Sequence, residues 1–178
     1  MSLNVYEEGE KLAELAVRLG MSRTSLKDLQ LMIATRKDRK GIENFIRRQS
    51  VRIWCKRFAD YLLELLDKCR GDLDKFSRIV GIAHATYEYY EKKPVMEKLS
   101  ASRRSIENVI RRFADEKRLG RWDVSIIGDT LRVRFEKGVR DRRRAKALAG
   151  ELKRRLLREV WELGRVKFNI HVEEIGEG

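Results

Sequence analysis

The stretch WDVSIIGDTLRVRF, residues 122–135, alternates apolar and polar side chains on both sides of Gly128-Asp129. Period-two alternation belongs to a strand with one buried face, whereas most of the chain repeats its apolar residues at helical spacing. Glycine supplies the positive φ that a type II′ turn needs, so the segment predicts a two-residue hairpin. A hairpin set among helices has to bury its apolar face against them, which restricts the C-terminal part to a small sheet packed on helices.

The flanks fit that frame. Residues 102–119 carry Ile106, Val109, Ile110 and Phe113 at helical spacing. Residues 139–163 place Ala145, Leu148, Leu152, Leu156, Val160 and Leu163 on one side of a helix that Gly164 ends. RVKFNIHVEEI then alternates Val166, Phe168, Ile170 and Val172 with polar residues, predicting a third strand. The order is α-β-β-α-β.

Upstream, the pattern is helical throughout. A first helix spans 5–19 with Leu12, Leu15, Ala16 and Leu19 on one face. Ser22 or Thr24 caps a second, which runs through Leu26, Leu29 and Ile33 to about residue 35. After the basic connector RKDRKG (36–41), one long helix is expected over 42–69, its stripe being Val51, Cys55, Phe58, Leu62, Leu65 and Cys69. Gly71-Asp72 stops it and caps the next helix, 73–93, which Pro94 ends. The expected fold is therefore α+β and mostly α: a helical domain at 1–93 and an α-β-β-α-β module at 94–178. The opening MSL and closing EG are given no structural role. IENFIRR (42–48) and IENVIRR (106–112) differ at one position, and their unlike surroundings make this a coincidence of composition.

Cys55 and Cys69 are the only cysteines. On one helix they would lie about 21 Å apart, too far to bridge, and both are read as buried thiols. No cysteine or histidine has a partner at metal-ligand spacing. His84 and His171 are far apart in sequence, His84 as a packed or half-exposed side chain, and there is no phosphate-binding glycine loop or nucleophile elbow. The chain is thus expected to be no enzyme, with no cofactor and no metal. No apolar run approaches a membrane span and no leader opens the chain, so a soluble, cytoplasmic protein with no membrane partner is expected.

Charge is concentrated. The chain has 41 Lys+Arg against 28 Asp+Glu, a net of +13. Residues 34–57 carry nine cations and only Asp38 and Glu43; residues 136–158 carry ten cations and three anions. On the expected long helix, Arg48, Arg52 and Lys56 form one column. Like charges at that spacing oppose each other, which a polyanion lying along them would relieve. Candidate phosphate-binding residues are Arg36, Arg39, Lys40, Arg47, Arg48, Arg52 and Lys56, then Arg140, Arg142, Arg143 and Arg144. Thr130, Arg132 and Arg134, beside Lys167, Asn169 and His171, would form the outer face of the sheet, read as solvated. Trp54, Tyr87, Tyr89, Tyr90 and Trp122 are the aromatics with possible stacking roles; of the three tyrosines only Tyr89 points away from the core stripe and is a candidate for base stacking.

ELAVRLGMSRTSLKDL, residues 14–29, has the spacing of a helix-turn-helix. Ala16 would sit at the crossing, Gly20 in the turn and Ser22 at the cap, with Arg23, Thr24 and Lys27 as readers. That makes a DNA-binding transcription regulator the alternative function, and an adaptor for an acidic protein a further one.

Over residues 22–93, SRTSLKDL, then FIRRQSVR, then LLELLDKCRGDLDKFSRIVGIAHATYEYYEK resembles the small helical subunit of class 1 CRISPR effector complexes. The likeness is to the type III subunit in particular. Lys27 stands where that family usually has arginine. The C-terminal strands depart from the all-helical type III pattern, and archaeal type I small subunits carry a modest β portion. The resemblance implies a non-catalytic subunit of a ribonucleoprotein that packs against copies of itself and other subunits. It would steady RNA or single-stranded DNA through backbone contacts, with Arg47, Arg48 and Arg52 at the family's basic positions.

Overall fold

The computed structural model describes residues 2–176; Met1, Glu177 and Gly178, the first residue of MSL and the whole of EG, lie outside the described residues. The protein is mostly helical, with seven helices and one three-stranded sheet among the described residues. It divides into two compact units between Glu91 and Lys92.

The first unit contains α1 (Val5–Arg18), α2 (Arg23–Arg36), α3 (Arg39–Arg52), α4 (Lys56–Lys68) and α5 (Leu73–Ala101) up to Glu91. Asn4 starts α1 by accepting the amides of Tyr6 and Glu7. Leu12, Ala16, Leu26, Leu29, Ile42, Ile46, Phe58, Leu62, Phe76 and Ile79 form one core. Arg70 and Gly71 both take positive φ, and Asp72 then accepts the amide of Lys75 to start α5. Tyr87 reaches across from α5 to donate its hydroxyl to the carbonyl of Met21 at 2.7 Å.

The expected long helix over 42–69 is broken. α3 ends at Arg52, and the amides of Ile53 and Trp54 both close onto the carbonyl of Gln49. At about 100° per residue, one continuous helix would turn Ile42 and Phe58 roughly 160° apart. Both are fully buried in the same core, so the chain must reverse between them. Trp54 makes the corner: it is buried edge-on between Phe45 (5.6 Å) and Phe58 (5.4 Å). Val51 and Cys55, expected on the buried stripe, are exposed as a result. Cys69 is buried, as expected, and that burial raises its thiol pKa.

Pro94 likewise does not end its helix; it lies inside the 29-residue α5. Proline removes one bond, to the carbonyl of Tyr90, from a long ladder. Tyr87 before it and Leu99 after it are each fixed in a core, one in each unit.

The second unit comprises the end of α5, then α6 (Arg103–Lys117), β1 (Trp122–Ile127), β2 (Thr130–Phe135), α7 (Arg142–Glu159), a 3-10 turn (Trp161–Leu163) and β3 (Asn169–Glu174). β1 and β2 pair antiparallel around Gly128, whose φ of +59° suits the first position of the turn. β3 pairs parallel to β2, Leu131 beside Ile170, by way of the α7 crossover. Leu131, Val133 and Phe135 point into a core with Ile106, Phe113, Leu152 and Leu156, the face that alternation predicts. α7 starts three residues later than expected, at an Asp141 cap, so Val139 and Arg140 precede it. The two IENxIRR copies serve different cores, one in α3 and one in α6. Among the described residues no helix is long and apolar enough to cross a membrane.

Truncating Trp54 should destabilise the first unit more than any exposed substitution. Trp54→Ala is expected to cost about 3–5 kcal/mol, read as the loss of unfolding free energy in urea followed by circular dichroism.

Candidate nucleic-acid interface

The turn into α3 is shorter than the sequence suggests. Arg36 ends α2, Lys37 takes φ +54°, and Asp38 caps α3 by accepting the amide of Gly41 at 2.6 Å. Arg39 and Lys40 therefore form the first turn of α3, as Lys56 and Arg57 do in α4, and neither turn contains a carboxylate. Cations there add to the positive end of the helix dipole instead of offsetting it.

Arg39 is committed internally. Its guanidinium donates to Glu43 at 2.9 Å and to Asp67, joining α3 to α4. The Glu43 hydrogen bond in particular holds it still more firmly protonated. The other candidates differ. Arg36, Lys40, Arg47, Arg48, Arg52 and Lys56, with Arg57, are exposed. Among the described residues none of them makes an ion pair.

The single column proposed for Arg48, Arg52 and Lys56 does not exist as drawn. Arg48 and Arg52 remain one turn apart on α3, and Lys56 opens α4 beyond the corner. At the corner itself Val51 and Ile53 protrude, 87% and 77% exposed. Lys56 and Arg57 also line an open groove of about 960 Å³ with Lys11, Arg18, Glu14, Asp60 and Glu64, four cations against three carboxylates. The densest run of first-unit cations without an ion pair among the described residues lies on α3 and its two ends.

In the second unit the arginines of the sheet have partners. Arg134 forks onto Asp123 with two bonds of 2.8 Å, and Arg132 pairs with Glu173, which also faces His171 at 3.4 Å. Lys167 lies just before β3 and Asn169 begins it. The outer face of the sheet is thus neutralised within the sheet. Arg140 binds Glu174 at 2.8 Å, Arg112 binds Glu159 at 3.1 Å, and Arg155 takes Glu116, whose pKa that hydrogen bond lowers. Arg142, Arg143 and Arg144 are exposed in the first turn of α7 and make no ion pair among the described residues.

α1 and α2 meet at Gly20, with φ +72°, and Ala16, Leu26 and Leu29 are fully buried as a helix-turn-helix spacing requires. Ser22 occupies the cap position, but its hydroxyl faces Ser25 at 3.3 Å and caps no amide. Arg23, Thr24 and Lys27 are exposed, yet the Nε of Arg23 donates to the carbonyl of His84 at 3.3 Å, tying α2 to α5. Among the aromatics, Trp54 and Tyr87 are buried and Tyr89 is 53% exposed, edge-on to Tyr90. Trp161, 81% exposed, has no counterpart in the sequence-based expectations, because a helix continuing to Leu163 gave it no distinct place. Only its position off the Leu152–Leu156–Val160 stripe could have signalled it.

His84 supplies a pH dependence. Burial, then the nearby Arg23 and Lys27, lower its pKa below 6.5. Below that value the unfolded chain takes up a proton that the folded chain refuses, so stability falls as pH falls. Urea midpoints measured between about pH 8 and about pH 5.5 should decline more steeply for the wild type than for His84→Gln. No protein-family model matches this chain, and neither does any curated protein or solved structure.

Proposed function

We propose that this protein is a non-catalytic nucleic-acid-binding subunit that holds phosphates along α3 and its two ends. What supports it is one asymmetry. Around α3 both carboxylates are already committed, Asp38 to the amide of Gly41 and Glu43 to Arg39, so the other exposed cations there face none, whereas Arg132 and Arg134 of the sheet each hold a carboxylate. A helix whose nearby carboxylates are all spent is suited to an external polyanion. Arginine predominates there, and its planar fork fits phosphate oxygens. Arg36, Lys40, Arg47, Arg48 and Arg52 carry the contact, with Lys56 at the corner. Arg142, Arg143 and Arg144 form a second patch.

Neutralised phosphates release counterions without reading bases, so binding is indifferent to sequence and steep in salt. RNA or single-stranded DNA is the favoured ligand. Together with the pattern shared with small helical subunits of class 1 CRISPR effectors, this points to work within a ribonucleoprotein, beside other subunits or copies of itself.

Fluorescence anisotropy on single-stranded RNA, single-stranded DNA and duplex DNA at several salt concentrations tests this. Arg48→Gln/Arg52→Gln should keep its circular dichroism and melting temperature. On a single strand it should flatten the log–log salt slope by about 1.4, two contacts at roughly 0.7 each. An unchanged slope would remove α3 as the contact. Salt-resistant duplex binding lost in Arg23→Ala/Thr24→Ala would indicate the helix-turn-helix regulator instead. Failure to bind any nucleic acid at low salt would leave the cations to an acidic protein.

A further inference from the structure

We propose that Trp161, in the second unit, is a stacking platform for an unpaired base of single-stranded nucleic acid. This adds a base contact to the phosphate contacts proposed above and rests on that reading.

The indole is 81% exposed, although its neighbours Val160 and Leu163 are 2% and 0% exposed. Helix α7 stops at Glu159 because Val160 leaves helical geometry, at φ −112° and ψ 86°. The chain then makes a tight 3-10 turn: Leu163 donates to Val160 and Gly164 donates to the carbonyl of Trp161, each at 3.0 Å. Two buried side chains and two backbone bonds hold this turn, so the ring is presented from a fixed base and not from a loose loop. An uncovered tryptophan on a rigid pedestal is a cost to the free protein that a ligand can recover.

The surrounding charge names the ligand. Arg158, Arg165 and Lys167 are exposed and make no ion pair among the described residues. Of the carboxylates in 158–167, Glu159 is taken by Arg112, which leaves Glu162 as the one counter-charge. Leu157, in the last turn of α7, is 39% exposed. One ring and one leucine fall far short of the roughly 1,200 Å² of a stable protein interface. A second copy would bring the same cations against these. Duplex bases present no free faces, whereas a single strand offers both bases to stack and phosphates for the flanking cations.

The test uses intrinsic tryptophan emission, since Trp54 is buried and Trp122 only half-exposed. A short oligothymidylate should quench the emission, and heparin, a polyanion without bases, should not. Trp161→Leu should abolish the quenching and weaken oligonucleotide binding about tenfold, and Trp161→Phe should restore most of the affinity. If the oligonucleotide binds by anisotropy while emission is unmoved, if heparin quenches equally, or if Trp161→Leu binds like the wild type, the platform is refuted and phosphate binding stands. If no oligonucleotide binds at all, both proposals fall together.

Discussion

The edge-on clasp of Trp54 between Phe45 and Phe58 organises the first unit. α3 and α4 bury faces that a continuous helix would point in nearly opposite directions, so the fold needs a sharp reversal between them. A tryptophan gives that reversal a large buried area in place of the helical hydrogen bonds lost at residues 53–55. Once the corner is set, α3 becomes a helix with Ile42 and Ile46 inward and Arg47, Val51 and Arg48 outward. The candidate interface is therefore a consequence of how the core is filled.

Charge count alone does not say which cations are engaged: those on the sheet and those on α3 have different fates in space. Around the sheet, arginines meet carboxylates brought from β1, β3, α7 and the residue after β2, and the pairs are fork-like or cross between elements. On α3 only Arg39 is so treated, and it serves the α3–α4 packing. Exposed pairs contribute little to stability, so matching them is chiefly a way of removing local field. Where the field is left standing, along α3 and at the start of α7, a polyanion is the economical explanation. Trp161 adds an exposed aromatic surface that such a ligand could use beyond its phosphates.

Short-range pattern was legible residue by residue. The hairpin about Gly128, the inward set Leu131, Val133 and Phe135, the reversal at Gly71-Asp72 and the α-β-β-α-β order all follow from periods and turn chemistry confined to a few neighbours. Pro94 misled because proline weakens a helix locally but does not end it when packed residues on both sides hold the chain. Val51 and Cys55 misled because the stripe from 51 to 69 is continuous in period and says nothing of which way a core lies.

Sequence by itself determined the fold class, the identity of most core residues and where cations are dense along the chain, because each depends on composition and spacing within one element. Only the tertiary structure decided that α3 and α4 are separate, that Arg39 and Arg140 are occupied while Arg47, Arg48 and Arg52 are not, and that Trp161 stands uncovered. Those facts depend on which elements meet. An ion pair joins residues as far as 47 positions apart, as Arg112 and Glu159 do, and no local period encodes that distance.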